Sequence, residues 1–261
     1  MSGVSTAYLM YHEIELPGRS LCQRGNGYRR YVVTQAELRA QMLWLKNRGY
    51  RAKNVGAVLR DPGEDPSCVV LTFDDGCETD ALIAAPLLAE FGFTATFYAV
   101  VSNLGHPGYL SAAQLRELAD SGFEVGCHSM THAYLTDLQA PGLQVQIVEA
   151  KERLEQEIGR RVDHFSCPGG RWSPEVARVA KEAHYHSVAT SRVATNSRET
   201  NPFRLARLAV KRGITLNDFD HLCCGKGLFV RRTEEIALLV AKAALGNLLY
   251  ENVRSILLDR G

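Results

Sequence analysis

The chain has 261 residues, with 30 Lys and Arg against 29 Asp and Glu and a formal net charge of +1. A hydrophobic fraction of 46% beside 23% charged residues supports a sizeable core and excludes disorder for the bulk of the chain. The balanced charge excludes a broad basic footprint for nucleic acid, and the length suits one large domain or two small ones.

In chain order, an apolar run predicts a strand at residues 7–11. Thr34, with Glu37 three residues on, is a helix-start signature, and Leu38, Met42 and Leu45 follow at helical spacing to about residue 47. A turn-rich loop at 61–67 leads into a strand at 68–73, and further strands are expected at 94–101 and 123–127. Between these lies a helix at 111–121, opened by Ser111 and closed before Gly122. A helix at 142–158 precedes a strand at 164–167, and Ser173-Pro174 opens another helix. Strands at 187–190 and 205–210 flank a polar loop at 196–202, and residues 233–258 read as one long amphipathic helix. Most of these strands are near-continuously apolar, as expected when both faces are buried in a parallel sheet. Strand and helix alternate over about 210 residues, which predicts an α/β fold with a parallel sheet, open or closed into a barrel. We therefore expect residues 1–261 to form a single domain, with a lead-in segment at 1–66 and the C-terminal helix at 233–258.

Seven cysteines at irregular spacing, with no CxxC pair, match neither a disulfide framework nor a structural zinc module. The first eleven residues hold no Lys or Arg, and no apolar run reaches the ~20 residues needed to span a membrane. These features predict a reducing, cytoplasmic setting, with peripheral membrane contact left open.

Three motifs carry chemistry, and each follows an expected strand. Leu71-Thr-Phe-Asp-Asp-Gly76 sets Asp74 and Asp75 side by side at a strand end, where parallel α/β folds build active sites. Adjacent buried carboxylates need a compensating charge, and a metal cation supplies one; a polar turn closing a strand is the plainer alternative. His128-Ser-Met-Thr-His132 offers two nitrogens that could meet on one face of a helical turn and hold one metal. Phe165-Ser-Cys-Pro-Gly-Gly170 forces a tight turn able to aim backbone N–H groups at a developing oxyanion.

Taken together, the chain resembles the polysaccharide deacetylase family, also called the NodB-homology or carbohydrate esterase family 4 group, over roughly residues 8–212. The resemblance implies a distorted (β/α)7 barrel. It implies Asp75, His128 and His132 as ligands of one divalent metal, zinc in the first instance, and Asp74 as the general base. Gly169 would donate its N–H to the oxyanion. The family's third motif usually carries Arg where this chain has Ser166, and its Leu-x-His acid motif has no counterpart here. His12, in the Tyr-His pair that some exopolysaccharide de-N-acetylases share, is the expected replacement acid; capping a strand is its alternative role. Arg207 could replace the missing base-orienting arginine, or could be a salt-bridged structural residue. Trp172 could line a sugar cleft or pack a helix. The expected function is metal-dependent removal of an N-acetyl group from an amino sugar in a glycan, glycolipid or polysaccharide precursor. Hydrolysis of a non-sugar amide or cyclic imide, and a catalytically inactive carbohydrate-binding role, are the alternatives.

Overall fold

The structure is a computed structural model that describes residues 4–23, 25–61, 65–228 and 233. The helix expected at 233–258 lies, apart from Thr233, outside the described residues.

Ten strands are present among the described residues: β1 (Ala7–Tyr11), β2 (Ile14–Glu15), β3 (Val33–Thr34), β4 (Arg51–Lys53), β5 (Cys68–Phe73), β6 (Thr96–Ala99), β7 (Glu124–Cys127), β8 (His164–Ser166), β9 (Ser187–Ala189) and β10 (Leu208–Ala209). The main sheet runs β10-β1-β5-β6-β7-β8-β9, with β4 added beside β5, and every pairing in it is parallel. β1 and β5 are aligned from Ala7–Val69 to Tyr11–Phe73. The two edges meet through residues 205–209, because Ala189 bridges Leu205 while Leu208 pairs with Leu9. The sheet thus curls into the distorted (β/α)7-type barrel that the family resemblance implies, irregular where only Leu208–Ala209 of the expected 205–210 strand is regular. Parallel direction puts all the strand C-termini on one face, which is where the motifs emerge.

Local sequence accounts for the helices. Thr34 accepts from the Glu37 N–H and Glu37 returns a bond to the Thr34 N–H, so the 35–47 helix begins as expected and buries Leu38, Met42 and Leu45. Ser111 and Ser173 cap the helices Ala112–Asp120 and Pro174–Glu182. The helix expected at 142–158 starts earlier, at Ala140, and passes through a π-helical stretch at Gln144–Glu149 before Ala150–Ile158. β4 escaped the sequence reading because Arg51 and Lys53 flank a lone Ala, which leaves no apolar run.

The sheet face under the helices carries an aromatic row, tied to the 35–47 helix by a 2.8 Å bond from the Tyr11 hydroxyl to Gln41 Oε1. Tyr11 stacks on Phe73, and Phe73 on Phe97, each pair with ring centroids 5.0 Å apart. On the opposite face, inside the barrel, Gly126 leaves room for the Tyr98 ring, with which a Cβ there would collide. At the N-terminal end a buried polar knot closes the barrel. Glu124 accepts from Thr96 Oγ1 at 2.6 Å and from the Gly56 N–H at 3.1 Å, and lies 3.3 Å from His164 Nε2.

Candidate active site

Asp74 and Asp75 directly follow β5 and are 2% and 4% exposed. Arg207, 1% exposed, grips Asp74 through two parallel bonds of 2.7 Å, Nη1 to Oδ1 and Nη2 to Oδ2. The guanidinium also donates to Ser166 Oγ at 2.7 Å, to Thr72 Oγ1 at 3.2 Å and to the Thr190 carbonyl at 2.9 Å. The ends of three strands, β5, β8 and β9, therefore orient one arginine, and that arginine orients one carboxylate. The two roles open for Arg207 in the sequence are one role here, since its salt-bridge partner is Asp74 itself. Burial disfavours the Asp74 anion, but the charges of Arg207 and then His128 outweigh it and hold the carboxyl well below its usual range.

Asp75 faces the histidines. Its Oδ1 lies 3.5 Å from His128 Nε2 and 3.3 Å from His132 Nε2. The Nδ1 of His128 lies 2.9 Å from the Ser166 carbonyl, so as a donor to it the ring leaves Nε2 for a ligand. Burial pulls His128 down to about 4, which keeps the imidazole neutral near pH 7. Donor atoms of Asp75, His128 and His132 all lie within 4.8 Å of one another. Two imidazoles and a carboxylate at that spacing fit a divalent metal of the zinc class.

One expectation needs correction. The histidines do not meet on a helical turn: residues 128–134 after β7 are irregular, and the rings converge because Ser129 and His132 adopt positive φ of 70° and 59°. His132 N–H donates to Ser129 Oγ at 3.0 Å, and the Gln146 side-chain amide clamps Thr131 through two bonds of 2.9 Å. Asp75 is also at positive φ, 77°, so three of the four such non-glycine residues among those described are in this site. Strain collected at one place, held by surrounding bonds, is a mark of function. Gln146 sits in the π-helical stretch, whose irregular turn was invisible to a search for 3.6-residue periodicity.

The remaining candidates ring this centre. His12 follows β1 and acts electrostatically on both Asp74 and Asp75, and its buried Nδ1 has no hydrogen-bond partner among the described residues. Gly169 lies at the exposed rim with φ 60°, and a Cβ there would stand 2.8 Å from the Tyr134 ring. Trp172 is a packing residue: its Nε1 donates to the Phe203 carbonyl at 2.7 Å and Arg204 covers its ring. Cys167 is fully buried beneath the site. Sequence reading missed Gln23, whose Nε2 donates to Asp75 Oδ2 at 3.3 Å from the lead-in segment, and Gln146. It noted Ser166 only as a departure, yet Ser166 anchors Arg207, Asp74 and His128 together.

The chain is similar to several known proteins in sequence and fold. The family model described as polysaccharide deacetylase matches residues 61–188. YxkH of Bacillus subtilis, provisionally named a polysaccharide deacetylase, is 28% identical over 215 residues, covering 81% of this chain and 73% of its own length. A chitooligosaccharide deacetylase of Rhizobium leguminosarum bv. phaseoli is 32% identical over 134 residues, 49% of this chain and 56% of that protein. The solved structure of the deacetylase PplD from Streptococcus pyogenes superposes with a TM-score of 0.74, covering 85% of this chain and 99% of that one; at 19% identity it shows the fold alone. With the three motifs gathered at one end of such a barrel, residues 61–188 are a polysaccharide deacetylase domain by their match to that family's model.

Proposed function

We propose that the chain is a metal-dependent hydrolase that removes the N-acetyl group from an amino sugar in a glycan, glycolipid or polysaccharide precursor. The observation that carries this reading is the pairing of two buried carboxylates with separate tasks: Asp75 turned to the two histidines, Asp74 locked on Arg207. Asp75, His128 and His132 would hold the cation, zinc in the first instance, which when bound supplies Lewis-acid polarisation of the amide carbonyl and acidifies water. The protein's own groups do the rest. Asp74, ionised by its pairing with Arg207, takes a proton from the attacking water. Gly169 donates its N–H to the oxygen that gains charge. His12 returns a proton to the departing amine, which leaves as the free amino sugar while acetate is released.

The free state of all seven cysteines supports a reducing compartment, and hence a cytoplasmic enzyme that meets a biosynthetic intermediate, including one presented at the inner membrane face. Among the described residues no helix is long and apolar enough to cross a membrane. The test combines metal analysis with acetate release from N-acetylglucosamine oligomers and glycolipids, using wild type and Asp74→Asn. Wild type is expected to carry divalent metal and release acetate, and Asp74→Asn to keep the metal and lose the activity. Opening of cyclic imides without acetate release, or a wild type that takes up no metal, would overturn the assignment.

A further inference from the structure

Beside the catalytic carboxylates lies a second group of ligand-bearing side chains that the proposed reaction does not use. Glu13, Cys22 and Cys77 each place a donor atom within 4.8 Å of the other two. Glu13 follows β1, Cys22 belongs to the lead-in segment, and Cys77 comes two residues after Asp75. Glu13 and Cys77 are buried, and Cys22 is half-buried. Glu13 Oε2 accepts from the Cys22 N–H at 2.9 Å and from the Tyr28 hydroxyl at 3.0 Å, and that hydroxyl is 3.5 Å from Cys77 Sγ. Cys22 Sγ donates to the Gly108 carbonyl at 2.9 Å. Among the described residues, only this trio and Asp75–His128–His132 bring three such ligands so close.

An independent observation points the same way. Asp80 is fully buried, and neither of its carboxylate oxygens has a hydrogen-bond partner among the described residues. Asp75, Cys22 and Glu13 all bear on it electrostatically. Buried carboxylates are ordinarily met by donors or a cation. Here acids and thiols are gathered against one another instead.

We propose that Glu13, Cys22 and Cys77 form a second cation site, for a soft divalent ion of the zinc class, separate from the catalytic set. Two thiolates and a carboxylate are ligands such an ion accepts. Binding releases the two thiol protons to solvent, leaving three anionic ligands around the ion. The consequence is mechanical. Cys22 precedes Gln23, which reaches Asp75, so the ion fastens the lead-in segment across the catalytic centre. This site stands whether or not the chain acts on an acetylated sugar.

The test is titration of the reduced, chelator-stripped full chain with cobalt(II). Two equivalents per chain are expected, with a thiolate-to-cobalt charge-transfer absorption. Cys22→Ser and Cys77→Ser should each abolish that absorption and remove one equivalent. His132→Ala should remove the other equivalent and leave the absorption intact. Cys22→Ser is the safer variant, because Cys22 lies half-buried in a loop; circular dichroism checks its fold, and its result alone is decisive. A single equivalent in wild type, an absorption that survives Cys22→Ser, or a Cys22–Cys77 disulfide in protein isolated without reductant would overturn the proposal. Loss of acetate release has no bearing on it.

Discussion

Arg207→Met isolates one physical term. The substitution keeps much of the side chain's length and apolar packing but leaves Asp74, at 2% exposure, without its cation. Removing one partner of a buried ion pair costs about 3–5 kcal/mol, because the remaining charge stays desolvated and unmatched. Four further acceptors or contacts of the guanidinium are lost with it, at Ser166, Thr72, Thr190 and the Tyr98 ring, so the upper half of that range is expected. For a domain of this size each kcal/mol moves Tm by about 2–4 °C, which predicts a fall of roughly 8–20 °C. Asp74→Asn added to Arg207→Met removes the unmatched charge and should recover at least about 2 kcal/mol of the loss. Thermal and urea unfolding by circular dichroism measure both variants. A single-variant loss below about 1 kcal/mol, or a double variant no more stable than Arg207→Met, would refute the pairing as the cause.

Other consequences are more local. His12→Ala should lower kcat for acetate release by about 10²-fold or more with metal content unchanged; near wild-type turnover removes His12 from the reaction. Gln146→Ala frees Thr131 between the two histidines, and metal affinity measured by chelator competition should weaken by about 10-fold or more. Gly126→Ala forces a Cβ into the Tyr98 ring and should cost about 1–3 kcal/mol in urea unfolding. Glu124 is raised by burial but lowered more by His164 and Thr96, so its net shift is downward. A depressed folded-state carboxyl gives stability that is complete above the unfolded value of about 4.3 and is lost as pH falls through the folded value. Between pH 5 and 3, the urea midpoint of wild type should therefore fall more steeply than that of Glu124→Gln; parallel curves would contradict the linkage.

Much of the molecule was legible before folding. The apolar runs at 7–11 and 68–73 became β1 and β5 without change, because strands buried on both faces leave a continuous hydrophobic signature. Caps at Thr34, Ser111 and Ser173 were legible because a cap is a contact within three or four residues. The short polar β4 and the π-helical turns were not, since neither carries a regular period.

The candidate site divides in the same way. The sequence by itself determined which strand ends carry carboxylates, imidazoles and the Gly-Gly turn, since chemistry sits in residue type and strand ends are marked by where apolar runs stop. Only the tertiary structure decided who pairs with whom. Arg207 and Asp74 are 133 positions apart, and Ser166 and Asp74 are 92 apart. Closure of the barrel brings them together, and no local pattern encodes a contact over that distance. The approach of His128 to His132 rests on left-handed backbone at Ser129 and His132 that local preference disfavours and that Gln146 and Ser129 Oγ sustain. The grouping of Glu13, Cys22 and Cys77 likewise exists only once three distant segments are folded against one another.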